Sequence, residues 1–139
     1  MGRGKRGWST KIHVALSPYG YVNFVLSEGQ RQDVKVFPTL CKDFPWKKMK
    51  FIIADKGYTS SEVKQLIRSN QYQEVIPPKV NRCFPNKYDK QLYKTRVKIE
   101  HFFSHLKEHK RLSLRYDKLD STFTSFIYCA IMLITHLLC

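Results

Sequence analysis

The hydrophobic period changes along the chain, and that change constrains the fold class more than any other feature. Apolar and polar residues alternate through Lys11-Ile-His-Val-Ala-Leu16 and Tyr21-Val-Asn-Phe-Val-Leu26, with Ser17-Pro-Tyr-Gly20 between them. Alternation around a Pro/Gly turn predicts a β-hairpin over 11–26. Lys50-Phe-Ile-Ile-Ala54 is an unbroken apolar run stopped by Asp55-Lys-Gly57, the pattern of a buried central strand over 50–54. From Leu92 to about His109, and from about Ser121 to Leu138, apolar residues recur at helical spacing, which predicts helices over 92–109 and 121–138. Between these blocks, Asp33 to Leu40 fits a short helix that Asp33 could cap. Thr59-x-x-Glu62 has the form of a capping box opening a helix through Arg68. Glu74-Val-Ile76 is a second short strand, and the Pro-rich basic stretch from Pro77 to Lys87 is a loop beside the functional face. Strands followed by alternating helices give an α/β fold occupying 1–139 as one domain.

The chain carries 25 Lys and Arg against 11 Asp and Glu, a net charge of +14 at pH 7. Its 42% hydrophobic content supports a packed core, so it is not a disordered basic tail. A folded domain this basic favours a polyanion, with nucleic acid first, because each cation near a phosphate releases condensed counterions. Cys41, Cys83, Cys129 and Cys139 form no C-x-x-C pair and are expected to be reduced and structural. Met1 to Gly7 is charged without a following apolar stretch, so a secretory signal is not expected and a cytoplasmic location is. The apolar run from Phe126 to Cys139 is too short to span a membrane and is expected to be a buried terminal helix.

On the helix over 92–109, Tyr93, Arg96, Glu100, Ser104 and Lys107 share a stripe within about 80° of arc at about 100° per residue. Leu92, Ile99, Phe102, Phe103 and Leu106 form the adjoining apolar face. Glu100 thus lies at the edge of the buried face, where an acid can be held for metal binding while the cations and phenol address phosphate. A plainer reading stands beside it: Arg96 and Glu100 are an i, i+4 pair of the kind that decorates solvated helices. Asp55 likewise has two readings, an Asx-turn with the Lys56-Gly57 backbone or a metal ligand at a strand end. Two acids so placed in a basic domain suit divalent metal and phosphoryl transfer.

Tyr93-x-x-Arg96-x-x-x-Glu100-x-x-x-x-x-x-Lys107 resembles the Y-R-E-K signature of DDE transposases of bacterial insertion sequences, in the superfamily that includes the insertion-sequence-four and insertion-sequence-five groups. Ser9-Thr-Lys-Ile-His13, Ala54-Asp-Lys-Gly-Tyr58, Ile76-Pro-Pro-Lys-Val-Asn-Arg82 and Arg115-Tyr-Asp-Lys-Leu119 are similar to further segments of that family, in the same order. The resemblance implies an RNase H-like catalytic fold with an Asp, Asp, Glu triad holding two Mg2+ ions for DNA strand cleavage and transfer. In it Asp55 is the second Asp and Glu100 the Glu, both catalytic and both metal ligands. Tyr93, Arg96 and Lys107 are the DNA-binding residues at transposon ends.

The family places its first Asp on a first strand upstream of the segment resembling Ser9 to His13, and Met1 to Trp8 contains no acid. The resemblance therefore implies an N-terminally truncated fold with the first strand missing and the triad incomplete. Asp33, the nearest acid after Glu28, reads as a helix start rather than as a ligand. Three roles compete: half of a transposase completed by an upstream-encoded fragment, an inactive remnant, and a DNA-binding inhibitor of a full-length enzyme. An RNA-binding protein is the outside alternative, and an oligomer is compatible with each. His101, His105 and His109 are expected to be solvated helix histidines rather than a zinc stripe. Trp8, Tyr19, Tyr21 and Phe24 are expected to pack across the hairpin rather than stack on bases. The Lys47-Lys-Met-Lys50 cluster adds to the basic field.

Overall fold

The structure, a computed structural model, describes residues 2–4, 7–42, 49–78 and 88–138, with only the backbone described for 2–4, 7–8 and 136–138. Cys83, Cys139, the Trp8 side chain, Lys47 to Lys48 and the loop over 79–87 lie outside what is described. The fold is mixed α/β. Strands β1 (Gly2–Gly4), β2 (Gly7–Leu16) and β3 (Val22–Glu28) form an antiparallel sheet in the order β1-β2-β3. The hairpin register pairs Leu16 with Val22, Val14 with Phe24 and Ile12 with Leu26. Its turn is closed by Ser17 N–H donating to the Tyr21 carbonyl at 2.8 Å, and Gly20 takes φ +77°. β1 was not expected, since Gly-Arg-Gly offers no apolar period; it exists by pairing with residues 7–9 of β2.

That register separates the two faces of the hairpin. Ile12, Val14, Leu16, Val22, Phe24 and Leu26 pack on a cluster built from Phe102, Leu106, Leu112, Phe123, Ile127, Ala130, Ile131 and Ile134. The opposite face meets α1 (Asp33–Cys41), whose Leu40 carbonyl accepts from Asn23 Nδ2 at 2.8 Å. A parallel pair, β4 (Phe51–Ile53) and β5 (Gln73–Val75), is linked by α2 (Ser61–Ser69) and shares a second cluster of Phe37, Cys41, Val63, Ile67 and Ile76 with α1. Burial pushes the Cys41 thiol up to about 12, which keeps it protonated. The two sheets are not hydrogen-bonded to each other among the described strands.

Several local expectations are corrected. Asp33 opens α1 without capping it: Gln32 is the cap residue, and the Asp33 carboxylate turns to Lys11 Nζ at 2.5 Å. Ser60, not Thr59, caps α2, accepting from Val63 N–H at 3.0 Å, because the Thr59 hydroxyl is engaged with the Pro77 carbonyl at 2.9 Å. The helix expected over 92–109 is two, α3 (Lys90–Lys94) and α4 (Val97–Glu108). Between them Thr95, Arg96, Lys98 and Ile99 each donate to the carbonyl three residues back, the tighter winding of a 3₁₀ turn. A further short helix, α5 (Lys110–Leu114), precedes α6 (Asp120–Leu138). α6 is not buried all round: Phe123, Ile127 and Ile134 face the core, while Tyr128, Cys129, Met132 and Leu133 are exposed. Among the described residues no helix is long and apolar enough to cross a membrane.

Candidate active site

Asp55 follows β4 directly. The strand ends there because Ala54 N–H makes the last bond to β5, at Val75, and the chain then enters a 3₁₀ turn over Lys56–Tyr58. The Asp55 side chain caps that turn, accepting from Lys56 N–H at 2.7 Å, while its carbonyl accepts from Tyr58 N–H at 2.9 Å. The carboxylate is exposed. The turn-forming role foreseen for Asp55 is thus realised in the backbone, and its exposure leaves the carboxylate accessible to a ligand.

Glu100 stands in the first turn of α4, its side chain 53% exposed and ion-paired to Arg96. An acid in the first turn is favoured by the positive end of the helix dipole. The Arg96 guanidinium also lies 5.6 Å from the centre of the Tyr93 ring, and Tyr88 packs edge-on against Tyr93 at 5.5 Å. Tyr93 is where the two acids meet electrically. Its hydroxyl is held above the usual phenol range, first by burial and then by the charges of Asp55, Tyr88 and Glu100, against the opposing effect of Arg96. Tyr93, Arg96 and Glu100 thus stand in contact at the junction of α3 and α4, and the charge of Asp55 is felt at Tyr93. Lys107 lies seven residues beyond Glu100, about 10 Å along the helix axis at 1.5 Å per residue. It is exposed near the other end of α4.

Asp55 and Glu100 offer the hard carboxylate oxygens that Mg2+ takes. Among the described residues, however, no group of three or more His, Cys, Asp and Glu could hold a metal ion. The pair fits part of a metal site, and completing it requires a donor from elsewhere. Asp33 is not assembled into such a group. It lies against Gly57, where an added Cβ would sit 2.5 Å from Asp33 Oδ2, and it pairs with Lys11. The three helix histidines do not assemble either: His105 pairs with Glu108 at 3.4 Å, and His109 is the junction between α4 and α5.

Two of the quoted segments touch in a way that sequence reading missed. His13, only 3% exposed, bonds Ser27 Oγ through Nε2 at 2.8 Å and meets the Tyr58 hydroxyl through Nδ1 at 3.0 Å. The available signal was a histidine at an alternating position of an otherwise apolar strand. The Arg115 to Leu119 segment forms the corner into α6. There Arg111 grips Asp117 at 2.8 Å and Arg115 bonds Asp120 and Thr10. Tyr21 and Phe24 lie in or beside the hairpin, and Phe24 packs edge-on against Tyr128 at 4.8 Å.

The Transposase DDE domain family matches residues 1–135, and the chain belongs to that family. It is similar to a Brucella ovis protein that carries the name of a transposase for insertion sequence element IS6501, with 35% identity over 85 residues. The match covers 60% of this chain and 65% of that protein's length. No solved structure matches the chain.

Proposed function

We propose that the chain acts in DNA transposition as part of a DDE transposase of the Y-R-E-K type, built on an RNase H-like fold. Asp55 and Glu100 are two of its metal-binding catalytic acids, and Tyr93, Arg96 and Lys107 contact the phosphates of transposon ends. The observation that carries this reading is the contact of Tyr93, Arg96 and Glu100 at the start of α4, with Asp55 exposed at the end of β4, in a chain of the DDE family. A divalent ion such as Mg2+, when bound, supplies Lewis-acid stabilisation of an oxygen leaving phosphorus. The chain's own share is to aim two carboxylates from a strand end and a helix start, and to present cations beside them that hold a phosphate backbone.

The third acid comes, in this reading, on a polypeptide segment that adds a strand. Among the described strands, β2 is unpaired along 10–16 on the side away from β3, and β4 is unpaired on the side away from β5. Such edges accept an added strand readily. A second reading, a chain that occupies transposon ends without cutting, is favoured by the +14 charge, which supports binding on its own.

One experiment separates the two. The full chain, with and without a polypeptide supplying the upstream strand and acid, is incubated with duplex transposon ends and Mg2+ or Mn2+. Nicking is expected only in the mixture, and Glu100→Gln is expected to abolish it while leaving DNA binding intact. Binding with no nicking in any mixture supports the second reading, and nicking that survives Glu100→Gln removes Glu100 from the catalytic set. Preference for RNA over the duplex end would overturn both.

A further inference from the structure

We infer that His13 is a positioning residue for Asp55: hydrogen-bonded between Ser27 and Tyr58, it clamps the turn that Asp55 caps onto the hairpin. The inference builds on the reading of Asp55 as a catalytic acid, and the clamp itself is open to separate measurement.

The proton order along the clamp follows from its partners. The Ser27 hydroxyl donates to the Glu28 carbonyl at 3.2 Å, so toward His13 Ser27 Oγ accepts, and the proton of that 2.8 Å bond belongs to Nε2. A neutral imidazole protonated at Nε2 leaves Nδ1 as an acceptor, and Tyr58 donates its hydroxyl to it at 3.0 Å. The environment agrees. Burial lowers the His13 pKa, with Lys11 and Arg31 acting the same way against Asp33, and burial raises that of Tyr58, which keeps its proton. The carboxylate of Asp33 stays 3.9 Å from Nδ1, and Lys11 engages it.

The consequence for the site is geometric. Asp55 sits at the end of β4, in a sheet with no described backbone hydrogen bond to the hairpin sheet. Glu100 sits on α4, which packs through Phe102 and Leu106 onto the hairpin's other face. The spacing between the two acids therefore depends on how the Lys56–Tyr58 turn is held to the hairpin, by α1 packed against both and by the direct bond between them. His13 to Tyr58 is a direct side-chain bond from hairpin to turn, and the Phe37 ring packs against Tyr58 at 5.7 Å beside it. Losing the bond frees the turn to shift, and an acid out of place by about 1 Å costs on the order of 100-fold in rate.

The test uses the full chain and three variants: His13→Phe, which keeps a ring without nitrogen, Tyr58→Phe, which removes one hydroxyl, and His13→Gln, whose amide can replace both bonds. Amide hydrogen exchange is read at Lys56 and Tyr58, with Ile67 in α2 as the reference for global opening. His13→Phe and Tyr58→Phe are expected to speed exchange at Lys56 and Tyr58 about tenfold, the loss of one buried hydrogen bond. Ile67 is expected to stay unchanged, His13→Gln to recover the native rate, and the double Phe variant to exchange no faster than either single one. Unchanged exchange at Tyr58, or acceleration only in step with Ile67, overturns the clamp. Because Tyr58→Phe is the mildest change, it decides the matter should His13→Phe fail to fold. Paramagnetic broadening of the Lys56 amide by added Mn2+ tests the underlying reading separately. Broadening that Asp55→Asn leaves intact overturns Asp55 as a metal-binding acid and with it the positioning role, whatever the exchange rates show about the clamp.

Discussion

Lys107 is exposed and lies seven residues beyond Glu100 on α4, so under the proposed function it is expected to make one phosphate contact. Lys107→Ala is expected to lower the slope of log affinity against log salt by about 0.9, with equal effect on any duplex sequence. An unchanged slope in a salt titration would take Lys107 out of the interface. His13 makes a different prediction, because its charge is coupled to folding. Its folded pKa is lowered, chiefly by burial, with Lys11 and Arg31 adding to the effect and Asp33 opposing it. The unfolded chain binds a proton at about pH 6.5, where the folded chain does not. His13 therefore adds stability that is fully present above about pH 6.5 and is lost as pH falls toward and through the folded pKa. Urea unfolding at neutral and mildly acid pH is expected to show that loss in the native chain and a smaller one in His13→Gln. Equal losses would show that His13 is not the titrating group. None of this network is legible in the sequence, since its partners lie 14 and 45 residues from His13. The place of Asp55 at a strand end is legible because an unbroken apolar run ends on it, a purely local signal.

At the scale of elements, the Ser60 cap offers the cleanest measurement. Its hydroxyl satisfies one of the free N–H groups at the start of α2. Ser60→Ala is expected to cost about 1 kcal/mol, seen as a lower denaturant midpoint with an unchanged slope. Thr59→Val removes instead a tie to Pro77 and leaves the cap in place; a cost at Thr59 with none at Ser60 would reverse these assignments. The Thr-x-x-Glu pattern points to the right turn of helix but cannot say which of two adjacent hydroxyls is drawn away by tertiary contact. The hairpin over 11–26 is legible because alternation, Pro and Gly agree, and β2 and β3 extend it. The break between α3 and α4 is not, because apolar spacing runs through it from Leu92 to Leu106 without Gly or Pro. The break matters for the site. A 3₁₀ turn advances about 120° per residue against about 100° in an α-helix, so a continuous wheel does not give the angle between Tyr93 and Glu100. The five-residue α5 and the strand Gly2–Gly4 are illegible for a similar reason, being too short or too featureless to show a period.

Across the whole molecule, the two cores divide the work and α1 joins them. One core fixes α4 and Glu100 against the hairpin, and the other fixes β4 and Asp55 against α2. α1 belongs to the second core through Phe37 and Cys41 and reaches the hairpin on its face opposite the first core, where the Leu40 carbonyl accepts from Asn23. The proposed site, with one acid on each core, requires that the cores melt together, because independent opening of either would separate Asp55 from Glu100. Ile127 and Ile67, each fully buried at 0% exposure in its own core, test this. Ile127→Ala and Ile67→Ala are each expected to cost about 2–5 kcal/mol, a large part of the stability of a domain this size. If the cores are one cooperative unit, either variant lowers the melting of both equally, and exchange protection falls together at Phe102 and Val63. Should Ile67→Ala melt the β4–α2–β5 unit while the hairpin and α6 persist, α1 and the His13 clamp do not couple the cores. The proposed site would then need another element to hold its spacing, and the edges of β2 and β4 left unpaired among the described strands suit an added strand as that element.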